Sequence, residues 1–180
     1  MKKKVYIDFG VGAFYGHVKK NSIEGYYTIV IDKRISEPDN LAYEENKHFV
    51  DKRIIGDWIN DYDIPKADIW SNISTFEHIP VNMIDKSIIG MIKKIKKDSE
   101  GHIWINLTDH SGGFEHYKTR SPEFKYIAKD GNSTSCNTIK SDEWKNIFAK
   151  YFDFTYEEKY LDNIKEYPST AIFNNVRLKK

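Results

Sequence analysis

The sequence predicts an α/β domain: a mostly parallel sheet with helices on both faces and an antiparallel hairpin at one edge. Three observations lead there. Short runs of β-branched and aromatic residues alternate with longer amphipathic runs along most of the chain. The first apolar run closes on a glycine-rich turn, "FGVG". The last two strand-like runs, "FTYEEKY" and "TAIFNNVRL", follow each other with no helix between them. Alternation calls for crossover connections and parallel pairing, whereas two consecutive terminal strands form a hairpin.

Taken in order, "KVYID" (4 to 8) reads as a buried strand and "AFYGHVKK" as a short helix weakened by Gly16. "YYTIVID" (26 to 32) is a strand ending in Asp32. "EPDNLAYEENKHFV" opens with Pro38 and Asp39, both suited to a first helical turn. "RIIGDW" (53 to 58) and "ADIWSNI" (67 to 73) are brief strands. Ile84, Ile88, Met91, Ile92 and Ile95 fall on one helical face, which predicts a helix over 81 to 97. Its lysines at 93, 94, 96 and 97 read as a solvated helix end matching the dipole. "HIWINLT" (102 to 108) is a strand, and 141 to 152 a helix capped by Ser141 with Glu143 close behind.

The 180 residues suit one domain over 1–180, and 39% hydrophobic content is enough for a core. A net charge of +1 removes the global basic field that long nucleic acid would need. The single Cys136 has no disulfide or zinc partner, so a reducing cytoplasm is expected. "MKKK" is followed by a run that Asp8 and glycines interrupt, which is not a signal peptide. No run is long enough to span a membrane.

Ligands of parallel sheets bind where strand order reverses, at the strands' carboxyl ends. Gly10, Val11 and Gly12 form the turn after the first strand, and its glycines allow a ligand to approach without a Cβ in the way. Asp32 ends the second strand, 22 residues after Gly10, where a carboxylate accepts both ribose hydroxyls. Turn and acid together point to an adenosine-containing ligand. A dinucleotide site carries a third glycine three residues after the second; Tyr15 stands there, and Gly16 is out of register. Asp8, two before the first glycine, suits a positively charged ligand such as S-adenosylmethionine, which has an ammonium and a sulfonium.

These residues resemble the class I S-adenosylmethionine-dependent methyltransferases. "IDFGVG" resembles that family's D-x-G-x-G turn, "VID" its ribose-binding acid, and "GDW" the segment whose Asp contacts the adenine amine. "ADIWSNISTFEHIP" resembles its fourth strand and following loop, and "MIKKIKKDSEGHIWINLTDH" its next helix, turn and fifth strand. "NTIKSDEWKNIFAKYF" resembles a late segment of small-molecule members. The resemblance implies a three-layer, Rossmann-like, seven-stranded sheet with its last strand antiparallel, S-adenosylmethionine as cofactor, and Asp8, Gly10, Val11, Gly12, Asp32, Asp57, Trp58 and Asn72 as cofactor-binding residues. With the sheet starting at residue 4, the family's N-terminal helices are not expected. The substrate side would then be open, which a second copy or partner chain, a large substrate or a loss of activity would each account for.

Several of these residues have a plainer alternative. Trp58 either stacks beside adenine or plugs the core, and Asn72 either orients substrate or caps its loop. Glu77 and His78 form either a catalytic pair or a loop anchor. Asp109 and His110 end the fifth strand, where a histidine can take a proton from a hydroxyl. His102, Asp109, His110, Glu115 and His116 match no ligand spacing, so no metal is expected. Residues 110–140 are expected to form a substrate loop anchored by Tyr117, Phe124 and Tyr126. The function implied is methyl transfer to a hydroxyl of a small molecule or sugar-like intermediate. A non-catalytic cofactor- or partner-binding domain and a nicotinamide-dependent reductase are the alternatives.

Overall fold

The computed structural model describes residues 3–12, 14–33, 37–107, 139–160 and 168–180. Seven strands lie among them: β1 (Val5–Phe9), β2 (Tyr27–Asp32), β3 (Lys52–Ile55), β4 (Ala67–Ile73), β5 (Ile95–Asn106), β6 (Phe152–Lys159) and β7 (Thr170–Leu178). They form one sheet in the order β3-β2-β1-β4-β5-β7-β6. Pairing is parallel from β3 through β5, and β7 runs antiparallel to both β5 and β6.

Four α-helices are described: α1 (Gly16–Ile23), α2 (Glu37–Asn46), α3 (Ile84–Ile92) and α4 (Ser141–Phe148). β1 is buried on both sides, as a central parallel strand must be. Its alternation feeds two cores. Val5, Ile7 and Phe9 join Ile84, Ile88 and Met91 of α3 and Trp144 and Phe148 of α4. Tyr6, on the other face, joins Val18 of α1 and Ala42 and Tyr43 of α2. The result is the three-layer arrangement expected from the sequence, including the edge hairpin β6–β7.

The larger core is aromatic where α4 meets the sheet. Phe76 lies 5.2 Å from Phe148, and Phe148 lies 4.9 Å from Phe173, both edge to face. Such pairs add about 0.5–1.5 kcal/mol each beyond the area they bury. This cluster fixes the loop after β4 against α4 and β7, which matters for the site.

Four expectations are corrected. The helix expected over 81–97 stops at Ile92, and β5 begins at Ile95 rather than His102. Ile95 is apolar because it pairs with Ala67 and is buried in the sheet. The basic run is accordingly not one solvated helix end: Lys94 is buried, with its ammonium turned inward. At α4 the helix ends at Phe148, and Phe152 already pairs with Leu178 in the hairpin. Ser141 is not its cap. The Lys140 N–H donates to Glu143 Oε2 at 2.7 Å, while the Ser141 hydroxyl engages Tyr156 and Glu158. Among the described residues, no helix is long and apolar enough to cross a membrane.

Candidate functional site

From β1 the chain builds outward through β2 and β3, then crosses to β4 on β1's other side. The strand order therefore reverses between β1 and β4, and the carboxyl ends of these strands diverge there. Gly10 (φ +81°) and Gly12 (φ +48°) both take left-handed backbone, which glycine adopts without steric cost. The Gly10 N–H donates to Ile31 O, and the Gly12 N–H to Asp32 Oδ2, both at 2.7 Å. Turn and acid, separate in sequence, are thus one unit.

The two glycines do different work. A Cβ on Gly10 would overlap the side chain of Thr75, whose hydroxyl donates to Gly10 O at 2.8 Å. Around Gly12 the nearest such atom is Asp39 Oδ1 at 3.9 Å. Among the described residues Gly12 is therefore the less crowded of the two, and Gly10 is where the β4 loop closes on the turn. Val11 is buried in the α1–α2 core, so it can offer a ligand only its backbone.

Asp8 lies wholly inside the protein. Tyr6 Oη donates to its Oδ2 at 2.7 Å and Ser71 Oγ donates to the same oxygen at 2.6 Å. Oδ1 has no partner among the described residues. Burial raises its pKa from 3.8 to about 6; the two hydroxyls oppose this, and the Asp32 charge adds to it. A buried carboxylate with one unpartnered oxygen beside a glycine turn suits a cation.

The loop after β4 ties the strand ends together. Asn72 is buried and donates from Nδ2 to Phe9 O at 2.7 Å, reaching across to β1. Its Oδ1 has no partner among the described residues. Glu77 is also buried. Its Oε1 accepts from Ser74 Oγ at 2.6 Å and from the Asn106 N–H at 3.2 Å, which joins the loop to β5. His78 closes the 3-10 turn Phe76–His78, with its N–H on Thr75 O at 2.9 Å. Glu77 thus makes contacts that tie the loop to β5.

On the other flank, Asp57 lies 3.4 Å from Lys33 and its Oδ1 accepts the Ile59 N–H at 3.0 Å. The Gly56 N–H bonds Asp32 O at 2.8 Å, so this segment is tied to the residue carrying the turn's acid. Trp58 is a core plug. It is 5% exposed, packs edge-on to Phe9 and Phe76, and donates from its indole N–H to Ser87 O at 3.1 Å. An indole so enclosed has the packing of a core plug, the plainer of the two roles the sequence left open.

Asp109, His110, Glu115, His116 and the loop 110–140 with Tyr117, Phe124 and Tyr126 lie outside the described residues. His102 stacks on His17 of α1, with ring centroids 5.3 Å apart. Among the described residues, no group of three or more His, Cys, Asp or Glu could hold a metal. Sequence reasoning missed Tyr6, Ser71, Thr75 and Lys94. Period-two alternation on neighbouring strands could have placed Tyr6, Asp8 and Ser71 on one face; nothing local marks Thr75 or Lys94.

No protein-family model and no curated protein matches the chain. Solved structures do. The CurJ carbon methyltransferase aligns with 99% of this chain and 49% of its own, at TM-score 0.69 and 8% identity. An S-adenosylmethionine-dependent methyltransferase from Clostridium acetobutylicum ATCC 824 aligns over 100% of this chain and 86% of its own, at TM-score 0.66 and 12% identity. LepI, solved in complex with SAM, aligns over 99% and 43%, at TM-score 0.61 and 11% identity. The chain thus spans less than half the length of CurJ and LepI. At these identities the likeness is one of fold, and that fold is the one seen in S-adenosylmethionine-dependent methyltransferases.

Proposed function

We propose that this chain binds S-adenosylmethionine and transfers its methyl group to a small molecule, with a hydroxyl as acceptor. The observation that carries the reading is the Gly12 N–H on the Asp32 carboxylate, set beside the point where strand order reverses. Among the described residues, Gly12 is uncrowded and Oδ1 of buried Asp8 has no partner, and both fit the group: one suits an adenosine, the other can accept from an ammonium. Asp32 would hold the ribose and Asp57 the adenine edge, with Val11 contributing backbone. Bound there, the cofactor supplies an electrophilic methyl, and the protein supplies position and exclusion of water. His110 is assigned the base on sequence grounds. Near-neutral charge and "SNIS" on β4, in place of the Asn-Pro-Pro-Tyr type, favour a small hydroxyl acceptor over nucleic acid. A single domain in a reducing cytoplasm completes the reading.

Calorimetry with S-adenosylhomocysteine tests it. Asp32→Ala should weaken binding by about 1.5–3 kcal/mol, the worth of hydrogen bonds to a charged acceptor. Unchanged affinity would remove Asp32 from the site. Binding of NADH instead would turn the reading to a reductase. Binding without transfer to any hydroxyl acceptor would leave a cofactor-binding domain.

A further inference from the structure

We propose that Lys94 is a positioning residue for nucleotide binding: its ammonium clamps the segment after β3 that presents Asp57 at the ligand site. This rests on the reading above that the ligand contains adenosine.

Residues 56–62 form neither helix nor strand, yet they join the end of β3 to the rest of the site. What holds them is α3 and its last turn. Lys94 Nζ donates to Trp58 O and Asn60 O, both at 2.7 Å, and to Gly90 O at 3.3 Å. Three ammonium protons meet three carbonyls, two of them on the segment and one at the helix end. The residue is 4% exposed, so these bonds form largely away from water, where an ammonium has few other partners.

Two independent features serve the same contact. Gly90 has no side chain where the segment crosses α3; a Cβ there would sit 2.7 Å from Ile59 Cα and 3.0 Å from Trp58 O. The Trp58 indole N–H also reaches α3, at Ser87 O. Beyond the clamp, Tyr62 Oη donates to Asp57 O at 3.1 Å, and the Lys94 ammonium stands 5.6 Å from the Tyr62 ring. Every one of these contacts falls within three residues of Asp57 or on a side chain that bonds to it. Neighbouring lysines behave differently: Lys93 faces Asp61 across 3.7 Å and Lys96 pairs with Asp68, both with exposed ammonium groups. Of this basic run, Lys94 is the member spent on backbone carbonyls.

The test compares wild type with Lys94→Met by amide hydrogen exchange without ligand, and by calorimetry with S-adenosylhomocysteine. Exchange at 57–62 should accelerate about tenfold or more, as expected on losing charge-assisted bonds, with β1 and β2 unchanged. The dissociation constant should rise about tenfold, because binding must then also order the segment. Lys94→Met should add little to the loss caused by Asp57→Ala, since it acts through that residue. Unchanged exchange at 57–62, faster exchange with unchanged affinity, or full additivity with Asp57→Ala would each overturn the proposal. If Lys94→Met does not fold, Gly90→Ala displaces the same segment from the helix side and is judged by the same outcomes. A wild-type chain that binds neither S-adenosylhomocysteine nor adenosine overturns the functional reading and the nucleotide role of Lys94 with it. The ligand-free exchange comparison still decides the clamp.

Discussion

Asp8 predicts a conflict between stability and binding. Its carboxyl is fully buried, and its pKa is raised from 3.8 to about 6. A tenfold change in proton affinity is worth about 1.4 kcal/mol, so holding this group ionised at pH 7 costs the folded state about 3 kcal/mol. The sign follows from the direction of the shift. Stability from this group is present in full below pH 3.8, is lost as pH rises through about 6, and changes no further above that. Asp8→Asn keeps the site neutral and leaves an acceptor for Tyr6 and Ser71, at the cost of an unpartnered amide worth on the order of 1 kcal/mol. The variant should be more stable than wild type by roughly 1–2 kcal/mol at pH 7, with that gap vanishing towards pH 4. Urea unfolding followed by tryptophan fluorescence measures both. S-adenosylhomocysteine affinity should move the other way and fall. A variant less stable at pH 7, or a gap equal at the two pH values, would refute the reasoning.

Two further outcomes are expected. Gly10→Ala should destabilise the protein with or without ligand, because its Cβ would overlap Thr75 at φ +81°. Gly12→Ala should cost only about 1 kcal/mol of left-handed strain yet impair S-adenosylhomocysteine binding; thermal unfolding and calorimetry separate the two. His17 and His102 both have pKa values pulled below 6.5, first by burial; charge from His102 and Lys20 adds at His17, while Asn174 and Glu157 oppose the shift at His102 and Lys159 adds to it. Their contribution is therefore present above pH 6.5 and lost on acidification, opposite in sign to Asp8. His17→Gln should shift the change in unfolding free energy between pH 7 and pH 5 towards greater stability at pH 5, relative to wild type.

Much of this was legible in the sequence, for reasons that are local. β4 and β7 take the predicted boundaries because each is a β-branched or aromatic run bounded by turn residues. The Gly10–Gly12 turn and the place of Asp32 at the end of β2 were legible because glycines close the first apolar run and the acid closes the second. The failures are tertiary. Ile95 keeps helical phase with Met91 and Ile92, so periodicity alone extends α3 to it; pairing with Ala67 decides otherwise. Lys94 looks like its neighbours until the segment 56–62 supplies its carbonyls. Trp58 in "GDW" was read as one of two roles, and only packing against Phe9 and Phe76 chooses between them.

The loop "STFEH" carries a catalytic-looking pair beside hydrogen bonds that tie strand ends together, and it yields a discriminating experiment. Parallel strands β1, β4 and β5 end side by side without hairpins to join them, so something must hold their ends in register. Asn72 bonds Phe9 O, Thr75 bonds Gly10 O, and Glu77 bonds the Asn106 N–H. Each of the three reaches from β4 or its loop to a neighbouring strand end. A carboxylate in this role needs its acceptor oxygen, whereas one that shuttles protons needs its ionisation. Glu77→Gln keeps an acceptor for Ser74 and Asn106. It should leave unfolding free energy, S-adenosylhomocysteine affinity and methyl transfer near wild type. Glu77→Ala strands both donors and should cost about 1.5–3 kcal/mol of stability in urea unfolding. Loss of transfer in Glu77→Gln with stability and affinity intact would show that the carboxylate acts in the chemistry, and would return "EH" to the catalytic residues.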